Sequence, residues 1–260
     1  MIYFNGCSFT NGYELEDKFN KRFSNLVVKH FNTEEFNDAK VGGSNDRIWR
    51  TTMNHCLNNK YEAVIIMWTG ANRMEYLQTG TNISGNTNLP QKAISGPRWR
   101  ATNWERDSTN LEHANLHKHP DQLHQHWLIT NGFMKQVRNR EYNIKYSISY
   151  MLSTKYFLES LGIPYLFYTY SSGQYGPFLY LLDEDYLEAA NNYWKSEELS
   201  KKQILKELPC LLEDGFYDRT KKAGLPIGKK DHPLAGAHRL MADVMIKDLE
   251  RKYENIKKNN

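Results

Sequence analysis

The chain has 260 residues, of which 40% are hydrophobic and 13% aromatic, enough to bury a full core and unlike a disordered composition. Its 34 Lys and Arg against 30 Asp and Glu give a formal charge of +4, with no stripe of basic residues interleaved with aromatics, so no nucleic-acid partner is expected. Cys7, Cys56 and Cys210 have no paired spacing, which excludes a disulfide framework, and no apolar run is long enough to span a bilayer or follows a basic signal-like start. The expectation is one domain over residues 1–260, cytoplasmic, with no membrane partner.

The chain opens on Ile2-Tyr3-Phe4, a short apolar run read as a buried first strand. It runs into Asn5-Gly6-Cys7-Ser8-Phe9-Thr10-Asn11-Gly12, a glycine-flanked turn that lifts Ser8 from the sheet. In an open α/β sheet the carboxyl ends of the strands border the ligand crevice, so a hydroxyl there is placed to act as a nucleophile. Strand alternation sends the neighbouring thiol of Cys7 into the core.

Phe19, Phe23, Leu26, Val27 and Phe31 recur at helical spacing and predict the first crossover helix. A short strand over residues 36–41 follows, ending in Gly42-Gly43. Ser44-Asn45-Asp46 then suits the start of a helix striped by Ile48, Trp49, Met53, Cys56 and Leu57. Such a loop-to-helix junction presents unpaired backbone N–H groups, either as a receptor for developing negative charge or as an ordinary turn. Ala63 to Trp68 is an unbroken apolar run of the kind a central parallel strand requires. Asn72 lies just past its end, where its amide serves the crevice or its own turn.

From residue 74 to about 140 the periodicity fails, which predicts a large insertion after the third strand. It carries Trp99, Trp104 and Trp127, which could stack on a sugar ring or pack the insertion down, and His113, His117, His119, His124 and His126. No cysteine or established ligand motif accompanies those histidines, so no metal and no cofactor is expected. Regular structure returns with Ile144, Ile148, Met151 and Leu152 on a long helix that stops at Gly162, followed by a fourth strand over residues 165–170. Residues 171–220 carry no visible chemistry. Asp231-His232-Pro233 then leads into a C-terminal helix marked by Leu240, Met241, Val244, Met245 and Leu249, with His238 packed inside it.

In this order the blocks around Ser8, Gly42, Asn72 and His232 resemble those of the SGNH hydrolases, the GDSL-like esterase and lipase superfamily. The resemblance runs nearly end to end on short motifs. It implies a three-layer α/β/α, flavodoxin-like fold with a parallel sheet. It also implies Ser8 as nucleophile, His232 as base, and the Ser8 N–H, the Gly42 N–H and the Asn72 side chain as oxyanion-hole donors. Two positions depart from the pattern: Cys7 stands where the name-giving motif has Asp, and Lys229 stands where the acid three residues before the histidine belongs. The acid is therefore expected to be Asp231 on a turned loop, with a Ser-His dyad oriented by a backbone carbonyl as the alternative.

The expected activity is hydrolysis of an O-acetyl or other short acyl ester through an acyl-enzyme. The expected partner is a small-molecule or carbohydrate ester, the latter on the aromatic insertion and the habits of the superfamily. Acyl transfer by the same residues and a catalytically inactive binding module, motivated by Lys229, are the alternatives.

Overall fold

The structure is a computed structural model that describes residues 1–78, 98–103, 140–175, 201–252 and 254. At its centre four parallel strands stand in the order β2-β1-β3-β6: β1 (Ile2–Asn5), β2 (Glu35–Asn37), β3 (Ala63–Trp68) and β6 (Tyr165–Thr169). β1 lies between β2 and β3, pairing Tyr3 with Phe36 on one side and Val64 on the other. Among the described strands of this sheet the order doubles back at β1, which makes the carboxyl end of β1 a switch point where an open α/β sheet opens a crevice.

Alternation along the strands builds the two faces. Ile2, Phe4, Ile65 and Met67 pack with Phe23, Val27 and Phe31 of α3 (Phe23–Phe31) and with Met241, Met245 and Leu249 of the C-terminal helix α8 (Ala235–Lys252). Tyr3, Val64, Ile66 and Trp68 face the other way, onto Ile48 and Cys56 of α4 (Asn45–Asn58) and Ile144, Ile148 and Met151 of α5 (Arg140–Ser160). The result is the three-layer α/β/α arrangement expected from the sequence.

Three local expectations are corrected. The first crossover helix is broken into α2 (Lys18–Lys21) and α3 at Arg22, whose ψ of 147° is extended, and Phe19 is left 64% exposed instead of facing the sheet. The second strand is shorter than residues 36–41 and sits at the sheet margin among the described strands. The chain after Asn72 carries an antiparallel pair, β4 (Arg73–Gln78) with β5 (Arg98–Asn103), within the segment where no periodicity was expected.

The rest of the expected insertion lies outside the described residues, with Trp104, Trp127 and the histidines 113, 117, 119, 124 and 126. So does the side chain of Trp99. Among the described residues no helix is long and apolar enough to cross a membrane.

The remaining described elements are α1 (Ser8–Asn11), α6 (Lys201–Glu207) and α7 (Phe216–Lys222), with short 3-10 turns at Ser172–Gln174 and Pro209–Leu211. α1 is a single turn stopped by Gly12 in the left-handed region, φ 78°.

Candidate active site

Ser8 stands where β1 ends and α1 begins, and as the first residue of that turn its backbone N–H has no intrahelical acceptor. The approach is tight. A Cβ on Gly6 would come within 2.2 Å of Thr10 Oγ1 and 3.0 Å of the Met67 carbonyl, so only glycine lets the strand turn this sharply against β3. Asn5 fixes the turn from below: its Oδ1 accepts from the Gly6 N–H at 2.8 Å while its amide donates into Tyr3, Thr51 and Thr52.

The β2–α4 loop lies against the same turn. Lys40 N–H donates to the Gly6 carbonyl at 3.2 Å, and a Cβ on Gly43 would meet that carbonyl at 3.3 Å. Gly42 adopts φ 76° with nothing within 4 Å of where its Cβ would be, and among the described residues its N–H donates to no acceptor. The glycine pair thus serves two physical needs, a left-handed backbone at Gly42 and a close approach at Gly43.

On the other side of β1, Asn45 at the start of α4 binds the end of β3. Its Oδ1 accepts from Thr69 N–H at 2.9 Å, and its amide donates to the Thr69 carbonyl, Ser147 Oγ and Tyr175 Oη. Asn72 lies in the turn just beyond, closed by Arg73 N–H donating to the Gly70 carbonyl at 3.2 Å. Ser8, Gly42 and Asn72 therefore follow three adjacent strands at one edge of the sheet.

His232 reaches this edge from the loop before α8, and its Nε2 is 2.8 Å from Ser8 Oγ. Its ring is packed edgewise between Phe9 and Tyr13, with centroids 5.1 and 5.0 Å away. On the far side of the ring, Nδ1 is 3.1 Å from Glu14 Oε2. The carboxylate at this position is Glu14, and the expectation of Asp231 is corrected.

The loop geometry explains the difference. Residues 228–232 close as a tight turn, with Gly228 N–H donating to the His232 carbonyl and Asp231 N–H to the Gly228 carbonyl. Asp231 sits at its tip in the left-handed region, φ 60°, exposed, and among the described residues its carboxylate makes no hydrogen bond or ion pair. Lys229 is likewise exposed.

Glu14 gets there by a second left-handed residue. Gly12 at φ 78° and Glu14 at φ 70° curl the chain back after α1. The carboxylate then accepts Lys230 N–H at 3.0 Å as well as the imidazole. A Cβ on Gly228 would lie 2.8 Å from Glu14 Oε2, so a side chain there would push the carboxylate aside. Partial burial would raise the Glu14 pKa, but the N–H of Lys230, the His232 ring and the His232 N–H outweigh it and hold the carboxyl below its ordinary range. An ionised Glu14 accepts the Nδ1 proton and leaves Nε2 free to accept from Ser8 Oγ, which fixes the useful tautomer.

Cys7, the rival nucleophile by position, is fully buried in the core against α3 and α8. It lies on the face of Ile2 and Phe4 and not on that of Tyr3, so the turn after β1, and not strand alternation, sends the thiol inward. His238 is buried within α8, where its Nδ1 accepts from Phe23 N–H at 3.1 Å; desolvation, with Arg22 and His232 nearby, lowers its pKa to about 3. Among the described residues no group of three or more His, Cys, Asp or Glu is gathered to hold a metal ion.

No family model and no curated protein sequence matches the chain. Among solved structures it is similar to a psychrotrophic esterase from Pseudoalteromonas sp., in a form inhibited by monoethylphosphonate, at 12% identity and a TM-score of 0.48, covering 98% of both chains. A carbohydrate esterase is similar at 14% identity and a TM-score of 0.44, over 98% of this chain and 66% of that one. An alpha/beta hydrolase enzyme from the metagenome of Lake Arreo, Spain, is similar at 12% identity and 0.41, over 95% and 93%. Likenesses this loose assign no residue a role.

Proposed function

We propose that this chain is a serine esterase of the SGNH type that hydrolyses an O-acetyl or other short acyl ester through an acyl-enzyme. The observation that carries the reading is the continuous line Glu14, His232, Ser8, with contacts of 3.1 and 2.8 Å, at the carboxyl end of the central strand. A hydroxyl is a weak nucleophile until a base takes its proton, and a base needs a third group to hold its tautomer. All three parts are supplied by this chain.

In the proposed reaction Ser8 Oγ attacks the acyl carbon while His232 Nε2 takes its proton. Glu14 stabilises the imidazolium across Nδ1. The negative charge that forms on the carbonyl oxygen is received by the Ser8 N–H, the Gly42 N–H and the Asn72 amide. Collapse breaks the ester C–O bond, and the alcohol leaves with the proton from His232. A water then attacks the acyl carbon with His232 again as base, releasing the carboxylic acid and restoring Ser8 Oγ–H. No metal or organic cofactor takes part in this scheme. The missing acid at Lys229 was the ground for an inactive binding module, and Glu14 supplies a carboxylate in its stead.

The test is a panel of p-nitrophenyl esters of increasing acyl length, assayed with the wild type and Ser8→Ala. Turnover highest on the shortest acyl groups and lost in the variant is expected. Wild-type turnover in Ser8→Ala would overturn the reading.

A further inference from the structure

Three arginines lie close to the candidate site, and they differ in what they face. Arg47 donates to Asp38 Oδ1 at 2.9 Å and Arg50 to Glu75 Oε2 at 3.0 Å, so both are matched by carboxylates. Arg73 is not. It follows Asn72 directly, and among the described residues no carboxylate pairs with it. Its Nη1 is sealed from solvent and has no hydrogen-bond partner. A buried donor of a charged group without an acceptor is a costly and uncommon state in a folded chain, and it marks a place where a bound acceptor would be gained.

The guanidinium is held in position. Its carbon sits 5.9 Å from the centroid of the Tyr170 ring, a cation resting on an aromatic face. Tyr170 in turn packs edgewise on Phe9 at 5.4 Å, and Phe9 on His232 at 5.1 Å. One short line of rings thus joins Arg73 to the imidazole that meets Ser8. A planar fork of donors on this line suits an oxyanion with two accessible oxygens, such as a carboxylate or a phosphate.

We propose that Arg73 recognises an anionic group on the substrate, so that the site selects esters bearing a carboxylate or phosphate over neutral ones; this rests on the ester-hydrolase reading above. The anion can belong to the acyl part or to the alcohol part. The chemistry at Arg73 is the same in both.

The experiment compares kcat/KM for neutral p-nitrophenyl acetate, for mono-p-nitrophenyl glutarate with its anion on the acyl side, and for p-acetoxybenzoate with its anion on the alcohol side. Wild type, Arg73→Gln and Arg73→Lys are assayed on each. The wild type is expected to favour one anionic ester over the neutral one by on the order of tenfold to a hundredfold. Arg73→Gln should erase that ratio and Arg73→Lys should keep part of it. Equal rates on all three esters, or a ratio that survives in Arg73→Gln, would overturn the proposal. If no ester is turned over, the hydrolase reading fails, and calorimetric titration of monoethyl glutarate into Ser8→Ala and Ser8→Ala with Arg73→Gln decides the role of Arg73 alone. Weaker binding to the double variant supports anion recognition, and equal or undetectable binding to both ends it.

Discussion

Ser8 is held from two sides by different means. On the sheet side, Asn5 and Asn45 are buried side chains that bond the turns after β1 and β3 to the body of α4, each through several short contacts. On the other side, His232 and Glu14 come from half-exposed loops 218 positions apart, joined by a few hydrogen bonds that solvent can reach. The contrast teaches a division of labour: the position of Ser8, the proposed nucleophile, is set by the same buried network that stabilises the fold, whereas His232 and Glu14, the proposed base and acid, are set by a loop contact that can be changed without unfolding the chain.

The largest expected effect breaks the loop side alone. Glu14→Gln keeps the shape but cannot stabilise the imidazolium or enforce its tautomer, and turnover should fall by on the order of 10²–10⁴-fold with little loss of fold. Asp231→Asn on the same loop should change turnover by no more than a few-fold. Because the Glu14 pKa is lowered in the folded chain, its contribution to stability is present above the ordinary carboxylate range and fades as pH falls through the lowered value; Glu14→Gln should remove that dependence. Urea unfolding at a series of pH values, beside ester kinetics, checks both statements.

Breaking the sheet side should act in the opposite sense. Asn45→Ala strips the Thr69 N–H of its acceptor in a dry environment and should cost about 2–3 kcal/mol of stability, with activity falling because the Asn72 turn loosens. Denaturant midpoints reveal this, and a variant as stable as wild type but inactive would contradict the comparison.

A smaller effect sharpens the picture away from both sides. His238 has its pKa lowered to about 3 by burial, below the ordinary imidazole value, so the unfolded chain takes up this proton first. Stability is then full above about pH 6.5 and is lost as pH falls, by at most about 1.4 kcal/mol per unit from this residue. His238→Asn, which keeps an acceptor for Phe23 N–H, should flatten the pH profile of unfolding between the two values.

The same contrast explains what could be read in the sequence. The sheet side was legible: the apolar run at Ala63–Trp68 is a central strand, Ser8, Gly42 and Asn72 lie in the connections that follow β1, β2 and β3, and the C-terminal helix follows its apolar stripe. These features depend on residues near one another in the chain. Glu14 was not legible, because its pairing with His232 is purely tertiary and requires a left-handed backbone at a residue that is not glycine. The glycines at 12 and 228 were its available signals, one turning the chain back and the other making room for the carboxylate. The break at Arg22 was hidden for a different reason, since Phe19 continues the helical period of α3 while pointing to solvent. The β4–β5 pair escaped because its alternating stretches, Arg73 to Tyr76 and Arg98 to Thr102, are short and stand apart in a long polar segment.

The most direct measurement is covalent trapping. The protein is treated with an alkyl fluorophosphonate, digested, and the modified residue located by mass spectrometry, alongside Ser8→Ala and Glu14→Gln. The account predicts one adduct, on Ser8, absent from Ser8→Ala and formed far more slowly in Glu14→Gln. A label on Cys7 or elsewhere, or equal labelling of Ser8 with and without Glu14, would contradict it.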